Sequence, residues 1–301
     1  MSLIQQTGHA LGSEVLLTID GDNNLLTELW SKIQSFELQF SRFKPASELS
    51  LFNQKAGEKT TVTPAFRTLL VAAQSMANKT SGLYNPLTLP ALQQAGYVGS
   101  WPLTNNFVRE LNYSDRQAVP ATSLEVGDTW AKIPAKAALD FGGCGKGYLL
   151  DRLADFLDAE HVDRYWLSLG GDIVCRGGPG SKNEWQINVD SAERPGTTID
   201  VATNPKGCRM AIATSGVTKR KGQDWHHLID PRTNKPADTD VLTATITCPT
   251  ALDADVFAKC LVILGSKAAK VFLGKQQPLA AIIQYTKNTQ TIIKKYGDAT
   301  S

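Results

Sequence analysis

The sequence lacks long hydrophobic runs and a recognisable export signal. Its 301 residues include no apolar stretch of about 18 residues, the length at which a run is typical of a membrane-spanning helix. Residues 1–20 show no basic start, apolar core or small-residue cleavage site of a secretory signal. We therefore expect a soluble, cytoplasmic protein with no membrane anchor.

The sequence also lacks an excess of charge of either sign. The 31 basic residues nearly balance the 29 acidic ones, which gives a net charge of +2, and the lysines and arginines are scattered along the chain. A nucleic-acid partner would call for a basic patch or stripe. We therefore expect no nucleic-acid binding, and the 42% apolar content is sufficient for a packed core.

Cysteine motifs are absent as well. The five cysteines are odd in number, and no two of them stand in a Cys-x-x-Cys arrangement. This spacing argues against a disulfide framework or a zinc site and favours a reducing compartment. Cys144 lies in a glycine-rich segment, but no histidine neighbours it in the sequence, so we do not assign it as a nucleophile.

That glycine-rich segment is the most informative feature present. Residues 140–148 read Asp-Phe-Gly-Gly-Cys-Gly-Lys-Gly-Tyr. Glycines let a ligand approach the backbone amides closely. The apolar spacing of Leu149, Leu150, Leu153 and Phe156 predicts a helix directly afterwards. A helix N-terminus favours anions, so the segment indicates an anion site. The alternative is a tight turn between a strand and a helix.

Two common phosphate motifs fail in this segment. A P-loop requires a glycine five residues before the Gly-Lys pair and Ser or Thr after it, but Asp140 and Gly147 occupy those positions. A dinucleotide fingerprint that began at Gly143 would place its third glycine at Tyr148. The sequence therefore supports neither common nucleotide-binding fold.

The remaining pattern predicts an α+β protein with mixed, largely antiparallel sheets packed with helices, because helices and strands show no steady βαβ alternation. We expect one domain over residues 1–301 and an irregular stretch over 84–104. Strand 165–169 should resume at 173–175 after a bulge or a close backbone approach at Gly170-Gly171. The predicted helices are 24–40, 64–80, the one after 148, and 251–264. The other predicted strands are 13–19, short ones within 107–133, 185–189, 209–213, 242–248, 280–285 and 290–295.

A histidine lies just before a predicted turn. His227 stands three residues before Asp230, in a segment that continues Pro-Arg-Thr-Asn. A hydrogen bond to Asp230 would set the tautomer of His227 and leave the other ring nitrogen free as a general base. The alternative is a histidine that only braces the turn.

Two aspartates begin the predicted helix 251–264. Thr250 and Asp253 have capping-box spacing, so Asp253 belongs to the helix N-terminus. Asp255 lies on another side of the first turn, where its carboxylate could hold Mg²⁺. The alternative is an i, i+4 ion pair with Lys259.

Taken together, these segments resemble the ApbE-type FAD:protein FMN transferase family over nearly the full chain. Each motif is weak alone, but seven in the family's order are specific. The motifs are Ser41-Arg42-Phe43 with Ser47-Glu48-Leu49 and Asn53, Gly82-Leu83-Tyr84-Asn85-Pro86 with Leu92, residues 140–148, Leu169-Gly170-Gly171-Asp172, Thr214-Ser215-Gly216, residues 227–231, and Asp255 in a helix before Gly265.

The resemblance implies an enzyme that cleaves FAD, joins FMN through a phosphoester to a Thr or Ser hydroxyl of an acceptor flavoprotein, and releases AMP. It implies His227 as the catalytic base, and Mg²⁺ bound by Asp255 and the Gly143 carbonyl. The residues matched to FAD-binding positions are Leu11, Phe43, Tyr84, Asn85, Pro86, Asp140, Lys146 and Ile229. An FAD pyrophosphatase and a non-catalytic FAD-binding protein stay open as alternatives.

Three positions depart from the family pattern. Lys259 stands at a metal-site position where Thr or a small residue is usual, and its ammonium cannot ligate a metal but can pair with Asp255. Asn85 stands where aspartate is common, and Asn234 replaces a turn glycine. Because many relatives are exported lipoproteins and this chain has no lipobox, the resemblance favours a cytosolic acceptor.

Overall fold

The computed structural model describes residues 3–97, 99, 118–219, 221–222 and 226–297. Within those ranges, no helix combines the length and the apolar composition needed to cross a bilayer. Part of the predicted strand region, residues 107–117, lies outside the described residues, as does part of the stretch predicted to be irregular, at 98 and 100–104.

The secondary structure mixes helices with short and long strands. The helices are α1 (Asn23–Phe40), α2 (Glu48–Gln54), α3 (Pro64–Lys79), α4 (Leu89–Gln94), α5 (Gly145–Ala159), α6 (Ala251–Leu264) and α7 (Ser266–Gln276). The strands are β1 (Leu3–Ala10), β2 (Ser13–Asp20), β3 (Thr60–Thr61), β4 (Glu125–Val126), β5 (Trp130–Lys132), β6 (Tyr165–Leu169), β7 (Asp172–Arg176), β8 (Gln186–Asp190), β9 (Thr198–Thr203), β10 (Met210–Gly216), β11 (Ile229–Asp230), β12 (Lys235–Pro236), β13 (Val241–Cys248), β14 (Ala280–Lys287) and β15 (Gln290–Tyr296).

The chain divides into two compact units. Unit 1 comprises residues 1–33, 146–218 and 239–301, and unit 2 comprises residues 34–145 and 219–238. The prediction of one domain over the whole chain stays a prediction, and each unit is described by itself.

Unit 1 is built on one eight-stranded sheet. Its strand order is β1-β2-β6-β7-β10-β13-β14-β15, and every neighbouring pair runs antiparallel. Val15, Leu17 and Ile19 of β2 are buried at alternate positions, as a strand period requires. Helix α6 packs against β10 and β13 and is buried almost all round, which explains its nearly continuous apolar sequence. The α+β, antiparallel fold class is therefore confirmed.

The Gly170-Gly171 pair forms a hairpin turn, so the predicted bulge is wrong. Leu169 of β6 faces Asp172 of β7 across the turn. Both glycines have positive φ, 64° and 92°, and a two-residue hairpin turn of the type that matches strand twist needs this conformation at both central positions. The turn places Asp172 at the first position of β7.

Unit 2 is organised around an aromatic cluster and a buried asparagine. The rings of Phe40, Phe52, Phe66 and Phe141 pack together in stacked, tilted and edge-to-face pairs, with ring centroids 5.3 to 6.0 Å apart. Asn53 is fully buried, and its amide both donates to the Leu139 carbonyl at 2.8 Å and accepts from the Leu139 amide at 2.7 Å. Asn53 therefore fixes the chain just before the glycine-rich segment.

The element predictions were accurate for long periodic segments and incomplete elsewhere. The helices predicted at 24–40, 64–80 and 251–264 are confirmed to within one residue at each end. Residues 89–94, predicted to be irregular, form α4, and α2, α7, β1, β3, β9, β11 and β12 were not predicted. These elements are short or weakly amphipathic, so tertiary packing decides them more than periodicity does.

Candidate active site

Asp140 begins the glycine-rich segment and is held by contacts within unit 2. Its amide donates to the Pro86 carbonyl at 2.8 Å, and its Oδ2 accepts from the Gly142 amide at 3.2 Å. The Arg42 Nε lies 3.4 Å from Asp140 Oδ1, and both side chains are largely buried. Asp140 and Pro86, both predicted site residues, are therefore brought together, with Arg42 beside them.

The Arg42 guanidinium also links two aromatic rings. It lies 4.4 Å from the Phe43 ring centroid and 4.9 Å from that of Tyr97. Such placement over a ring face is a cation–π contact. Arg42 was quoted only as part of a motif, and Tyr97 was missed altogether because no local pattern marks it.

Tyr97 extends this cluster to the predicted base. The His227 ring lies 6.3 Å from the Tyr97 ring in an edge-on arrangement. Ile229 packs with Tyr97, Leu92 and Ala91 in one apolar cluster. The structure therefore places the predicted residues His227 and Ile229 beside Tyr97, and Phe43 beside the Arg42 guanidinium that Tyr97 also contacts.

Asn85 is used by the backbone around it. Its Nδ2 donates to the Val119 carbonyl at 2.8 Å, and its Oδ1 accepts from the Leu87 amide at 2.9 Å. An aspartate could not make the first of these bonds, which gives the departure from the family pattern a structural reason. Neighbouring Tyr84 is buried, and its amide donates to Thr80 Oγ1 at 3.0 Å. FAD contact by Tyr84 and Asn85 stays a prediction.

Asp230 holds Arg232 in the turn after His227. The Arg232 backbone amide, Nε and Nη2 donate to the carboxylate at 2.7 to 3.1 Å. Burial raises the pKa of Asp230, but the hydrogen bonds and charge of Arg232 outweigh this and hold the pKa below its usual value. The Asp230 carboxylate therefore binds the Arg232 guanidinium through several donors, and the predicted hydrogen bond between His227 and Asp230 stays a prediction.

The adjacent histidine, His226, braces the turn. Its Nδ1 accepts from the Leu228 amide at 3.3 Å, and its Nε2 lies 3.0 Å from the Ala237 carbonyl. These two contacts require the neutral tautomer with the proton on Nε2. Burial lowers the pKa of His226, and the hydrogen bond to the Ala237 carbonyl only partly opposes this.

The state of His226 predicts a pH dependence of stability. The pKa of His226 in the folded protein lies below its unfolded value of 6.5, so the unfolded chain binds the proton first as the pH falls. The contribution of His226 to stability is therefore fully present above pH 6.5 and is lost as the pH falls through the lowered pKa. We expect His226→Gln, which keeps the donor without titrating, to reduce the loss of unfolding free energy between about pH 7.5 and about pH 5.5. Urea unfolding at both pH values measures this, and an equal loss in both proteins would contradict it.

Lys146 and Asp172 form an ion pair within unit 1. The Lys146 Nζ contacts Asp172 Oδ2, and the two side chains are 18% and 5% exposed. Asp172 Oδ1 also accepts from the Thr214 amide at 3.3 Å. Asp172 belongs to the Leu169-Gly170-Gly171-Asp172 motif, but it was not predicted as a site residue. Only the structure shows that it is the partner of Lys146.

Asp255 lies buried where α5 meets α6. Its side chain is 1% exposed, and its Oδ1 is paired with the Lys259 ammonium. Its Oδ2 accepts from the Gly147 amide at 3.1 Å. Thr250 Oγ1 accepts from the Asp253 amide at 3.3 Å, so Thr250 is the N-cap of α6.

This donor set does not fit a divalent metal. Both carboxylate oxygens of Asp255 are engaged, one of them by an ammonium that has no lone pair for a metal. In the part of the chain that the structure describes, no three or more His, Cys, Asp and Glu side chains cluster as a metal site. The prediction of Mg²⁺ at Gly143 and Asp255 stays a prediction, and the contacts of Asp255 argue against it.

Leu11 lies in the turn between β1 and β2. Its φ is 57° and that of Gly12 is 65°, and the turn closes with Ala10 facing Ser13. Positive φ is unusual for a bulky residue and costs of order 1 to 3 kcal/mol, which the surrounding structure must offset. The strain is compatible with a binding role for Leu11, which stays a prediction.

A sequence model described as the ApbE family matches residues 11–283. The chain belongs to the ApbE family. The family prediction made from the motifs is therefore confirmed, and the match includes every candidate residue named above.

Known members of the ApbE family extend this finding. The chain is 28% identical to a Treponema pallidum protein named FAD:protein FMN transferase over 260 residues, which cover 80% of this chain and 71% of that one. It is 25% identical to a Vibrio cholerae protein of the same name over 276 residues, or 88% of this chain and 81% of that one.

Solved structures support the ApbE fold. The Vibrio cholerae flavin transferase ApbE superposes with a TM-score of 0.81 at 22% identity and covers 98% of this chain and 96% of that one. An ApbE protein from Thermotoga maritima gives a TM-score of 0.82 at 22% identity, with 98% and 97% covered.

Proposed function

We propose that this ApbE-family chain is an FAD:protein FMN transferase. The reaction joins FMN from FAD to a Thr or Ser hydroxyl of an acceptor flavoprotein and releases AMP. The family match over residues 11–283 carries this proposal, since relatives aligned over most of their length bear that name. We also propose a cytoplasmic location, as expected from the odd number of cysteines and the absence of a Cys-x-x-Cys arrangement in the sequence.

The proposed chemistry is a substitution at phosphorus. The acceptor hydroxyl oxygen bonds to the flavin-side phosphorus of FAD, and the bond from that phosphorus to the bridging oxygen breaks. AMP leaves with the bridging oxygen, and the hydroxyl proton goes to a base. We assign the base to His227, whose imidazole is set against Tyr97.

Positioning and charge neutralisation are the main catalytic needs of such a transfer. In unit 2, Arg42 is a buried cation held by Asp140, Phe43 and Tyr97. In unit 1, Lys146 is the cation of the glycine-rich segment. We assign Lys146 to the FAD phosphates and Arg42 to the positioning of Asp140 and Phe43. Leu11, Phe43, Asp140 and Ile229 are proposed as FAD contacts because they match FAD-binding positions of the family.

The test is transfer to an acceptor flavoprotein domain bearing the target threonine. We expect a flavin-fluorescent acceptor band on a denaturing gel after incubation with FAD, and no band when that threonine is replaced by alanine. The assay is run in EDTA and in MgCl₂, since dependence on Mg²⁺ was predicted from the resemblance.

Two other readings give different outcomes in the same assay. Free FMN and AMP without an acceptor would identify an FAD pyrophosphatase, in which water replaces the hydroxyl. FAD binding without AMP in either buffer would identify a non-catalytic FAD-binding protein, a reading that the Lys259–Asp255 pair favours by occupying the predicted metal ligand.

A further inference from the structure

The cation at Asp255 is part of the chain itself. Lys259 lies four residues after Asp255 on α6, so their side chains share one helix face. The Lys259 Nζ contacts Asp255 Oδ1 and lies 3.3 Å from the Asp255 backbone carbonyl oxygen. Two acceptors from one residue therefore fix the ammonium in place.

The surroundings make this pair hard to open. The Asp255 side chain is 1% exposed and that of Lys259 is 14% exposed. A buried carboxylate without a counter-charge is strongly unfavourable, and so is a buried ammonium without one. With the pair closed, the two charges cancel and neither group needs another ion.

A divalent cation would compete with this arrangement on three counts. It would have to displace Lys259 from Oδ1, since the other oxygen receives the Gly147 amide. Its two positive charges would also lie close to the positive charge of the Lys259 ammonium and would be repelled by it. Mg²⁺ also requires near-octahedral oxygen ligands, and the ammonium of Lys259 occupies this place without supplying one.

We propose that the Lys259 ammonium is the built-in cation of this site and takes the place of a divalent metal at Asp255. The inference deepens the proposed function and rests on it for the identity of the ligand, the diphosphate of FAD. Gly147, whose amide donates to Asp255 Oδ2, follows Lys146 in the first turn of α5, so this site adjoins the glycine-rich segment. FAD binding then needs no added metal.

The first experiment compares FAD affinity in EDTA and in excess MgCl₂ by quenching of flavin fluorescence. For the unaltered protein we expect dissociation constants within about twofold of each other. For Lys259→Thr, which removes the ammonium and supplies a hydroxyl oxygen, we expect Mg²⁺ to tighten FAD binding by about tenfold or more. The matched control is Lys32→Thr, which removes the lysine of an exposed i, i+4 pair with Glu28 and should show no metal effect.

The second experiment follows the metal alone, so it does not depend on FAD. In the unaltered protein we expect electron paramagnetic resonance to detect no Mn²⁺ at Asp255, and we expect MgCl₂ to leave the melting temperature unchanged. In Lys259→Thr the metal should bind and raise the melting temperature, because binding to the folded state stabilises it.

The outcomes separate the two proposals. If the unaltered protein binds Mn²⁺ and Asp255→Asn abolishes this binding, the inference is overturned. FAD binding that requires Mg²⁺ overturns it as well. A failure to bind FAD in both buffers overturns the proposed function, whereas the Mn²⁺ measurement still decides the role of Lys259. If Lys259→Thr does not fold, the comparison of the unaltered protein with Asp255→Asn decides it.

Discussion

Replacing His227 by alanine is expected to abolish most FMN transfer and to leave FAD binding nearly intact. Loss of a general base typically slows a reaction by about 10² to 10⁴-fold. The His227 ring lies edge-on to the Tyr97 ring, with 6.3 Å between the ring centroids. Because Tyr97 also contacts Arg42 and Ile229, we expect it to stay in place when the imidazole is removed. The single-turnover rate of flavin transfer and the dissociation constant of FAD measure the two effects separately.

The control is His9→Ala, which removes an exposed histidine on β1 and should leave both quantities unchanged. The pH dependence of the transfer rate offers a second check, because His227→Ala should remove the part of this dependence that a histidine base causes. Equal losses of transfer and FAD affinity would make His227 a binding or structural residue rather than the base.

Gly147→Ala and Gly274→Ala are the same substitution in two helices, and we expect opposite effects on stability. A Cβ at position 147 would lie 2.5 Å from the Ala251 carbonyl oxygen and 2.8 Å from Asp255 Cβ. Neither atom belongs to a flexible side-chain end, so α5 and α6 would have to separate. Overpacking of this kind costs about 1 to 3 kcal/mol.

Among the described residues, and apart from the backbone of α7 itself and the two neighbours of Gly274, no heavy atom lies within 4 Å of a Cβ added at position 274. Because alanine loses less backbone entropy than glycine in a helix, Gly274→Ala should raise the free energy of unfolding by about 0.5 to 1 kcal/mol. Urea unfolding of both variants and the unaltered protein gives the comparison. An unchanged free energy of unfolding in Gly147→Ala would show that α5 and α6 pack less closely than in the structure.

Gly147→Ala should also alter the region around Asp255. The Gly147 amide donates to Asp255 Oδ2, and a shift of α5 would weaken that bond and leave Lys259 as the remaining partner of the carboxylate. The close approach of the two helices is thus the reason that a glycine stands in this part of the glycine-rich segment, independent of any ligand.

The accuracy of the sequence predictions follows the range of the interactions involved. The start of α6 was found because Thr250 caps it through a residue three positions away, and Lys259 was recognised as a partner of Asp255 because the two are four apart. The pairing of Asp230 with Arg232 was not predicted at equally short range, because the sequence does not show that the several donors of Arg232 are turned toward this carboxylate.

By itself, the sequence determined the family, the α+β class, the positions of the long helices and the candidate residues, because these depend on ordered motifs and on periodicity within a few residues. Tertiary structure alone decided which of those residues meet. The Gly147 amide reaches Asp255 across 108 positions of the chain and Asn53 reaches Leu139 across 86, while Tyr97 joins Arg42 to His227 with no local signal. Such contacts follow from strand order and helix packing, which no short window of sequence contains.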